Sequence, residues 1–188
     1  MKTVWISGAS TGIGFATAKK FLNNNWKVII SSSNNEKLLL AKKQLLLKSE
    51  NKELYVFKCD ISDRNQVTET VNKITKQIGN INLAILNAAA YTPNKEQVFS
   101  IQNFEKLIDV NLKGTLFCIE SLINNMKNNQ NHIAIMASPV GYRGLPTGAA
   151  YGLTKAGLIN LAESLFFDLK KEKIKISLIN PGFIESEL

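Results

Sequence analysis

Six short runs of aliphatic and β-branched residues, each but the last followed by a stretch with helical spacing, leave this chain few folds to choose from. Lys2 to Ser7, Trp26 to Ser31, Leu54 to Lys58, Leu83 to Leu86, His132 to Ala137 and Ile174 to Ile179 read as strands. Ile13 to Leu22, Glu36 to Leu47, Val67 to Ile78, Phe104 to Met126 and Ala149 to Leu169 read as the helices between them. Such alternation implies crossover connections and hence parallel pairing. Several strand runs are apolar at successive positions, among them Val28-Ile29-Ile30, Leu83-Ala84-Ile85-Leu86 and Ile133-Ala134-Ile135-Met136. Strands have that composition when helices cover both of their faces. The expected fold is therefore α/β, a doubly wound parallel sheet in three layers, with residues 1–188 as a single domain.

Composition narrows the partners. With 45% apolar and 20% charged residues, the chain can bury a core, which excludes disorder as its main state. No run approaches the roughly 18 apolar residues of a membrane helix, and the opening apolar stretch is too short for a secretory signal, so no membrane partner and a cytoplasmic address are expected. Cys59 and Cys118 lie inside apolar segments and read as buried thiols, not zinc ligands or a disulfide. The net charge of +8 is carried almost wholly by scattered lysines, since Arg64 and Arg143 are the only arginines. That pattern reads as a solvated surface and predicts no nucleic-acid partner.

Chemistry enters with Ser7-Gly8-Ala9-Ser10-Thr11-Gly12-Ile13-Gly14, which follows the first strand and opens the first helix. Glycines let the backbone turn through positive φ and approach a ligand, and free amides at a helix start attract a pyrophosphate. A dinucleotide suits that position. In a doubly wound sheet the ligand crevice lies at the carboxyl ends of the strands where strand order reverses, so the loops after strands one, four, five and six are where reacting groups belong. Tyr151 and Lys155 lie one turn apart on one helix face. An ammonium beside a phenol stabilises the phenolate and brings it toward neutral pH, so Lys155 is expected to tune Tyr151 as an acid/base. Ser138, ending strand five, can donate to a carbonyl oxygen where charge develops.

The glycine spacing G-x-x-x-G-x-G resembles that of the short-chain dehydrogenase/reductase family, and the rest of the chain follows that family's order. Cys59-Asp60-Ile61, Asn87-Ala88-Ala89-Ala90, Asp109-Val110-Asn111-Leu112-Lys113-Gly114, Ser138, Tyr151-Gly152-Leu153-Thr154-Lys155 and Asn180-Pro181-Gly182 carry the likeness over essentially the whole chain. The resemblance implies a Rossmann-like, NAD(P)-binding oxidoreductase that moves hydride between a nicotinamide cofactor and a small-molecule carbonyl or alcohol. It implies Asn111, Ser138, Tyr151 and Lys155 as catalytic residues, with Lys155 also holding the nicotinamide ribose and Asn111 positioning a relay water by bending its helix. Cofactor contacts are implied for Gly8, Ser10, Thr11, Gly12, Ile13, Gly14, Ser32, Ser33, Asp60, Ile61, Asn87, Ala88, Ala89, Tyr151, Lys155, Pro181, Gly182 and Ile184, and no metal is expected.

The second strand runs into Ser31-Ser32-Ser33-Asn34, where an aspartate would hold a free ribose 2′-hydroxyl and repel a 2′-phosphate. No acid stands there, so NADP(H) is favoured over NAD(H), with Lys37 as a candidate added charge. Gly141 and the loop through Tyr142, Arg143, Gly144, Leu145 and Pro146 are expected on the substrate side, and His132 is read as a strand-entry residue. Leu116, Phe117, Ile119, Leu122, Leu158, Leu161, Leu165 and Phe166 exceed what one sheet face needs, which predicts a homodimer or homotetramer. Relatives in this family usually continue beyond the position of Leu188 through a substrate lid and a last strand, so the domain reads as C-terminally incomplete. That, with Ala90 in place of the family's glycine, supports the alternative of a non-catalytic NAD(P)-binding or regulatory module.

Overall fold

The computed structural model describes residues 1–92, 100–126, 131–182 and 184. Among these described residues six strands, β1 (Thr3–Ser7), β2 (Lys27–Ser32), β3 (Leu54–Lys58), β4 (Leu83–Leu86), β5 (His132–Met136) and β6 (Lys175–Ile179), form one all-parallel sheet in the order β3-β2-β1-β4-β5-β6. The helices are α1 (Gly12–Asn23), α2 (Asn35–Leu47), α3 (Arg64–Gln77), α4 (Ile101–Leu107), α5 (Gly114–Met126) and α6 (Ala149–Lys171).

Continuous apolarity of the strands has the expected cause. Trp5 and Ile29 point into a core shared with Val71 of α3, Leu122 of α5 and Leu158 of α6, while Val4, Ile6, Val28 and Ile30 point the other way, toward Ala18 of α1 and Leu38 of α2. Alternate residues of one strand thus feed two cores, and polarity at either parity would leave an unpaired group in one of them. Trp5 keeps its indole N–H satisfied by donating to Ser31 Oγ at 3.0 Å. Helix starts carry local signals as well: Asn34 and Asp63 accept from backbone amides at the entries to α2 and α3.

The stretch Phe104 to Met126 is not one regular helix. Between α4 and α5 the chain passes through a π-helical turn, Ile108–Lys113. Thr115 Oγ1 donates to the Asn111 carbonyl at 2.8 Å, and the Asn111 side chain leaves the helix for another partner, so local side-chain bonds accompany the widened turn.

Of the apolar residues expected to be in surplus on the last two long helices, Ile119, Leu122 and Leu158 are core, and Phe117, Leu161 and Leu165 pack partly against it. Leu116 and Phe166 stay exposed, joined by Leu153 and Phe167. Cys59 and Cys118 are free and buried, as read from the sequence. Among the described residues no helix is long and apolar enough to cross a membrane.

Candidate active site

Strand order reverses between β1 and β4, whose chains leave the sheet in opposite directions, and the two ends are tied together there. Ser7 Oγ accepts from the amides of Asn87 and Ala88, both at 3.1 Å, and Asn87 Nδ2 donates to the carbonyls of Ser7 at 3.1 Å and Gly8 at 2.9 Å. Gly8 has φ of 64°, and a Cβ on it would come within 2.5 Å of Ala88 Cα. Only glycine gives both the turn and the approach. Gly12, with φ of 56°, starts α1, and Thr11 makes no side-chain cap, so the first amides of the helix remain available.

A cavity of about 1080 Å³ opens over this junction. Gly8, Ser10, Thr11, Gly12, Ile13, Ser32, Ser33, Asp60, Ile61, Asn87, Ala88, Ala89, Ser138, Tyr151, Lys155, Pro181, Gly182 and Ile184 all line it. Uncapped amides at one end, hydroxyls of Ser10 and Ser32 at 3.2 Å from each other, and a phenol and an amine at the other end form a donor set that fits a dinucleotide. Asp60 has its Oδ1 engaged by Ser62 N and Oγ at 3.0 and 2.7 Å.

Two predicted residues stand elsewhere. Gly14 lies behind the turn: a Cβ there would meet Gly8 O at 2.6 Å and Ala9 Cα at 2.7 Å, so it lets α1 pack against the turn and does not face the cavity. Asn111 is 1% exposed and is likewise not part of the lining. Its Oδ1 accepts from Ala90 N at 2.7 Å, and its Nδ2 donates to Ala90 O at 2.9 Å and Thr154 Oγ1 at 3.2 Å. The helix distortion implied for Asn111 is present, but its amide braces the segment after β4 against α6. Ala90 has no positive φ, so the position does not demand the family's glycine.

Tyr151 and Lys155 share one helix face, but their electrostatics differ from expectation. Lys155, 3% exposed, passes 5.3 Å from the centre of the Tyr151 ring and donates from Nζ to the Met136 carbonyl at 2.7 Å. Burial lowers its pKa from 10.5 to about 8. The Tyr151 phenol is pushed up, first by burial and then by Tyr91, whose ring packs edge-on at 5.1 Å. Lys155 therefore lies under the ring face in this arrangement, and burial rather than the ammonium sets the direction in which the phenol is shifted. Ser138 combines a structural duty with its place in the cavity, because its Oγ accepts from Val140 N at 3.4 Å and caps the short turn Pro139–Gly141.

In the loop after β5, Arg143, Leu145 and Pro146 line the cavity as expected, while Tyr142 and Gly144 do not. Gly141 backs onto α6, where a Cβ would meet Ile159 Cδ1 at 2.6 Å. Sequence reasoning missed Tyr91, Val110, Met136 and Val140 as lining residues. Position just beyond or inside the quoted motifs was the available signal. Lys37 is exposed and outside the lining. His132 opens β5 and pairs with Ser177 Oγ at 2.8 Å, in keeping with strand entry. Ser186, for which the family resemblance implies a contact to the nicotinamide amide, lies outside the described residues, and no group of metal-binding side chains occurs among the described ones.

The fold is a doubly wound α/β sheet whose cavity, at the reversal of strand order, is lined by the glycine turn and by Tyr151 and Lys155. A family model for short chain dehydrogenases matches residues 2–188, and the chain belongs to that family. An uncharacterised oxidoreductase of Staphylococcus epidermidis is 27% identical over 188 residues, spanning 100% of this chain and 80% of that protein. The structure of ElxO with NADP bound superposes with a TM-score of 0.90 at 30% identity, over 99% of this chain and 75% of that one. NAD+-bound xylitol dehydrogenase gives 0.89 at 26% identity, over 98% and 71%. The chemistry of the chain is accordingly that of an oxidoreductase, hydride transfer between a nicotinamide cofactor and a carbonyl or alcohol.

Proposed function

We propose that the protein interconverts a small carbonyl compound and its alcohol with NADP(H) in preference to NAD(H), using Tyr151 as proton donor and acceptor, Ser138 as polariser and Lys155 as the charge beneath them. One observation carries this reading: Ser138, Tyr151 and Lys155 border the same cavity as the glycine turn. When bound, the nicotinamide supplies or takes up the hydride. Ser138 Oγ donates to the substrate oxygen, which gains negative charge as the carbonyl is reduced. Tyr151, a phenol that is protonated at neutral pH and that burial pushes further up, delivers a proton to that oxygen. The Lys155 ammonium, 5.3 Å from the ring centre, stabilises the phenolate left behind. Asn111 contributes by bracing, since its amide fixes Ala90 against Thr154, and Thr154 Oγ1 donates to the Tyr151 carbonyl at 2.8 Å.

The cofactor preference rests on Ser32 and Ser33, whose positions in the lining offer hydroxyls and no carboxylate to a ribose 2′-phosphate. Exposed Leu116, Leu153, Phe166 and Phe167 on α5 and α6 support assembly as a homodimer or homotetramer. The two free, buried thiols suit the reducing cytoplasm.

Paired fluorescence titrations with NADPH and NADH test the preference, and tighter NADH binding would sink it. The Tyr151→Phe variant tests the chemistry. It should bind NADPH as the parent does and lose turnover of a carbonyl substrate by about 100-fold or more. Near-parental turnover would remove Tyr151 from its role.

A further inference from the structure

We infer that Arg143 sets substrate choice, and that the substrate carries a carboxylate on an apolar body, an oxo acid in one direction and a hydroxy acid in the other. The inference rests on the hydride-transfer reading above and names the class of molecule that enters the site.

Three charged side chains line the cavity among the described residues: Asp60, Lys155 and Arg143. Asp60 is engaged by Ser62, and Lys155 donates to the Met136 carbonyl beneath Tyr151. Arg143 has neither an ion pair nor a hydrogen bond among the described residues, so its guanidinium is the charged group free to meet a ligand. It is also the sole charged residue between Ser138 and Tyr151, the two groups that converge on the reacting carbonyl.

Its backbone is held on both sides. Tyr142 N donates to Pro139 O at 3.0 Å, and the Tyr142 hydroxyl accepts from Asn180 Nδ2 at 3.3 Å, beyond the end of β6. Gly141 abuts α6 so closely that a Cβ would lie 2.8 Å from the Lys155 carbonyl carbon. On the other side Gly148 N donates to Leu145 O at 3.2 Å and closes the next turn. Tyr91, Val140, Leu145 and Pro146 supply apolar lining. A planar guanidinium matches a carboxylate through two parallel N–H···O bonds, and apolar walls suit the body between that carboxylate and the carbonyl. In the reduction the carbonyl carbon gains the hydride with its electron pair and the oxygen gains the Tyr151 proton. The products are the hydroxy acid and oxidised cofactor, and solvent reprotonates the phenolate.

The test compares two ketone pairs, levulinate with methyl levulinate and para-acetylbenzoate with its methyl ester, on the NADPH-loaded protein. The parent should show the higher kcat/KM for the acid of at least one pair. Arg143→Met should cut the acid-to-ester ratio by about tenfold or more, chiefly through KM, and Arg143→Lys should restore part of it. A ratio indifferent to both substitutions overturns the inference. So does weaker binding of NADPH alone to Arg143→Met, which would assign the guanidinium to a cofactor phosphate. Acid binding to the NADPH-loaded protein, followed by ligand-observed NMR, separates the two readings. Arg143-dependent binding without turnover of any ketone would support the carboxylate site and count against the reaction. Binding independent of Arg143 would overturn the site whatever the turnover.

Discussion

Replacing Lys155 by methionine should change the pH dependence of stability in a direction that burial dictates. The folded protein holds the ammonium at a pKa of about 8, against 10.5 for the unfolded chain. At about 1.4 kcal/mol per tenfold change in proton affinity, the buried charge costs about 3 kcal/mol while both states are protonated. That penalty is fully present below the folded pKa. It is lifted as pH rises from about 8 toward 10.5, because the folded state releases its proton while the unfolded state still holds one. Methionine has no such term. The stability of the parent minus that of Lys155→Met should therefore rise by about 2–3 kcal/mol between about pH 7 and about pH 10. Taking the difference at each pH cancels the other titrating groups. The bond to the Met136 carbonyl contributes little to the trend, since a neutral amine still donates. Urea melts at fixed pH values, compared through their midpoints at a shared slope, measure it. Parallel stability curves, or a difference that shrinks as pH rises, would refute the reasoning. The same titration has a kinetic face: kcat/KM for carbonyl reduction should fall above about pH 8 as the free protein loses the Lys155 charge, and a flat profile to pH 10 would contradict it.

Gly14→Ala should lower stability by about 1–3 kcal/mol and weaken NADPH binding, because the new methyl group meets backbone atoms of Gly8 and Ala9 in the glycine turn proposed to hold the cofactor. Urea melts and a titration check both, and an unperturbed variant would show that the turn can yield. Ser32→Asp should shift preference toward NADH by placing a carboxylate among the cavity-lining hydroxyls, measured as the ratio of the two dissociation constants. An unchanged ratio would move the ribose away from β2. The double variant Phe166→Glu and Phe167→Glu should sediment as a smaller species than the parent at micromolar concentration, since these exposed rings lie on the helix face assigned to self-association. A parent that is already monomeric would remove that assignment.

The sheet was legible because its physics is one-dimensional. Val28-Ile29-Ile30 and Ile133-Ala134-Ile135 are apolar at both parities, and the two cores on opposite faces of the sheet are the reason. The glycine turn was legible as a turn after a strand. Its individual glycines were not, because Gly8 and Gly12 adopt positive φ while Gly14 answers to the backbone of Gly8 and Ala9, a packing partner no spacing reveals. The same limit separates Tyr151 from Lys155. A four-residue interval places both on one helix face, yet only the fold determines that the lysine reaches the Met136 carbonyl of β5 and that Tyr91 lies against the tyrosine.

Ala90 shows the consequence for function. Read as a departure from a glycine motif, it argued for a module that binds cofactor without catalysis. In the fold its backbone is not in the left-handed region, and Asn111 satisfies both its amide and its carbonyl, so the substitution needs neither strain nor a change of chain path. The Asn111 side chain links that segment to Thr154, one residue before Lys155, and Thr154 in turn bonds the Tyr151 carbonyl. A buried amide whose donors and acceptor are all engaged holds its neighbours in one arrangement, because breaking any of those bonds would leave a polar group unpaired in the interior. The brace therefore fixes Ala90, which lines the cavity, relative to the helix that carries Tyr151 and Lys155. A methyl group at Ala90 leaves that connection intact, so alanine in place of the family's glycine is compatible with catalysis.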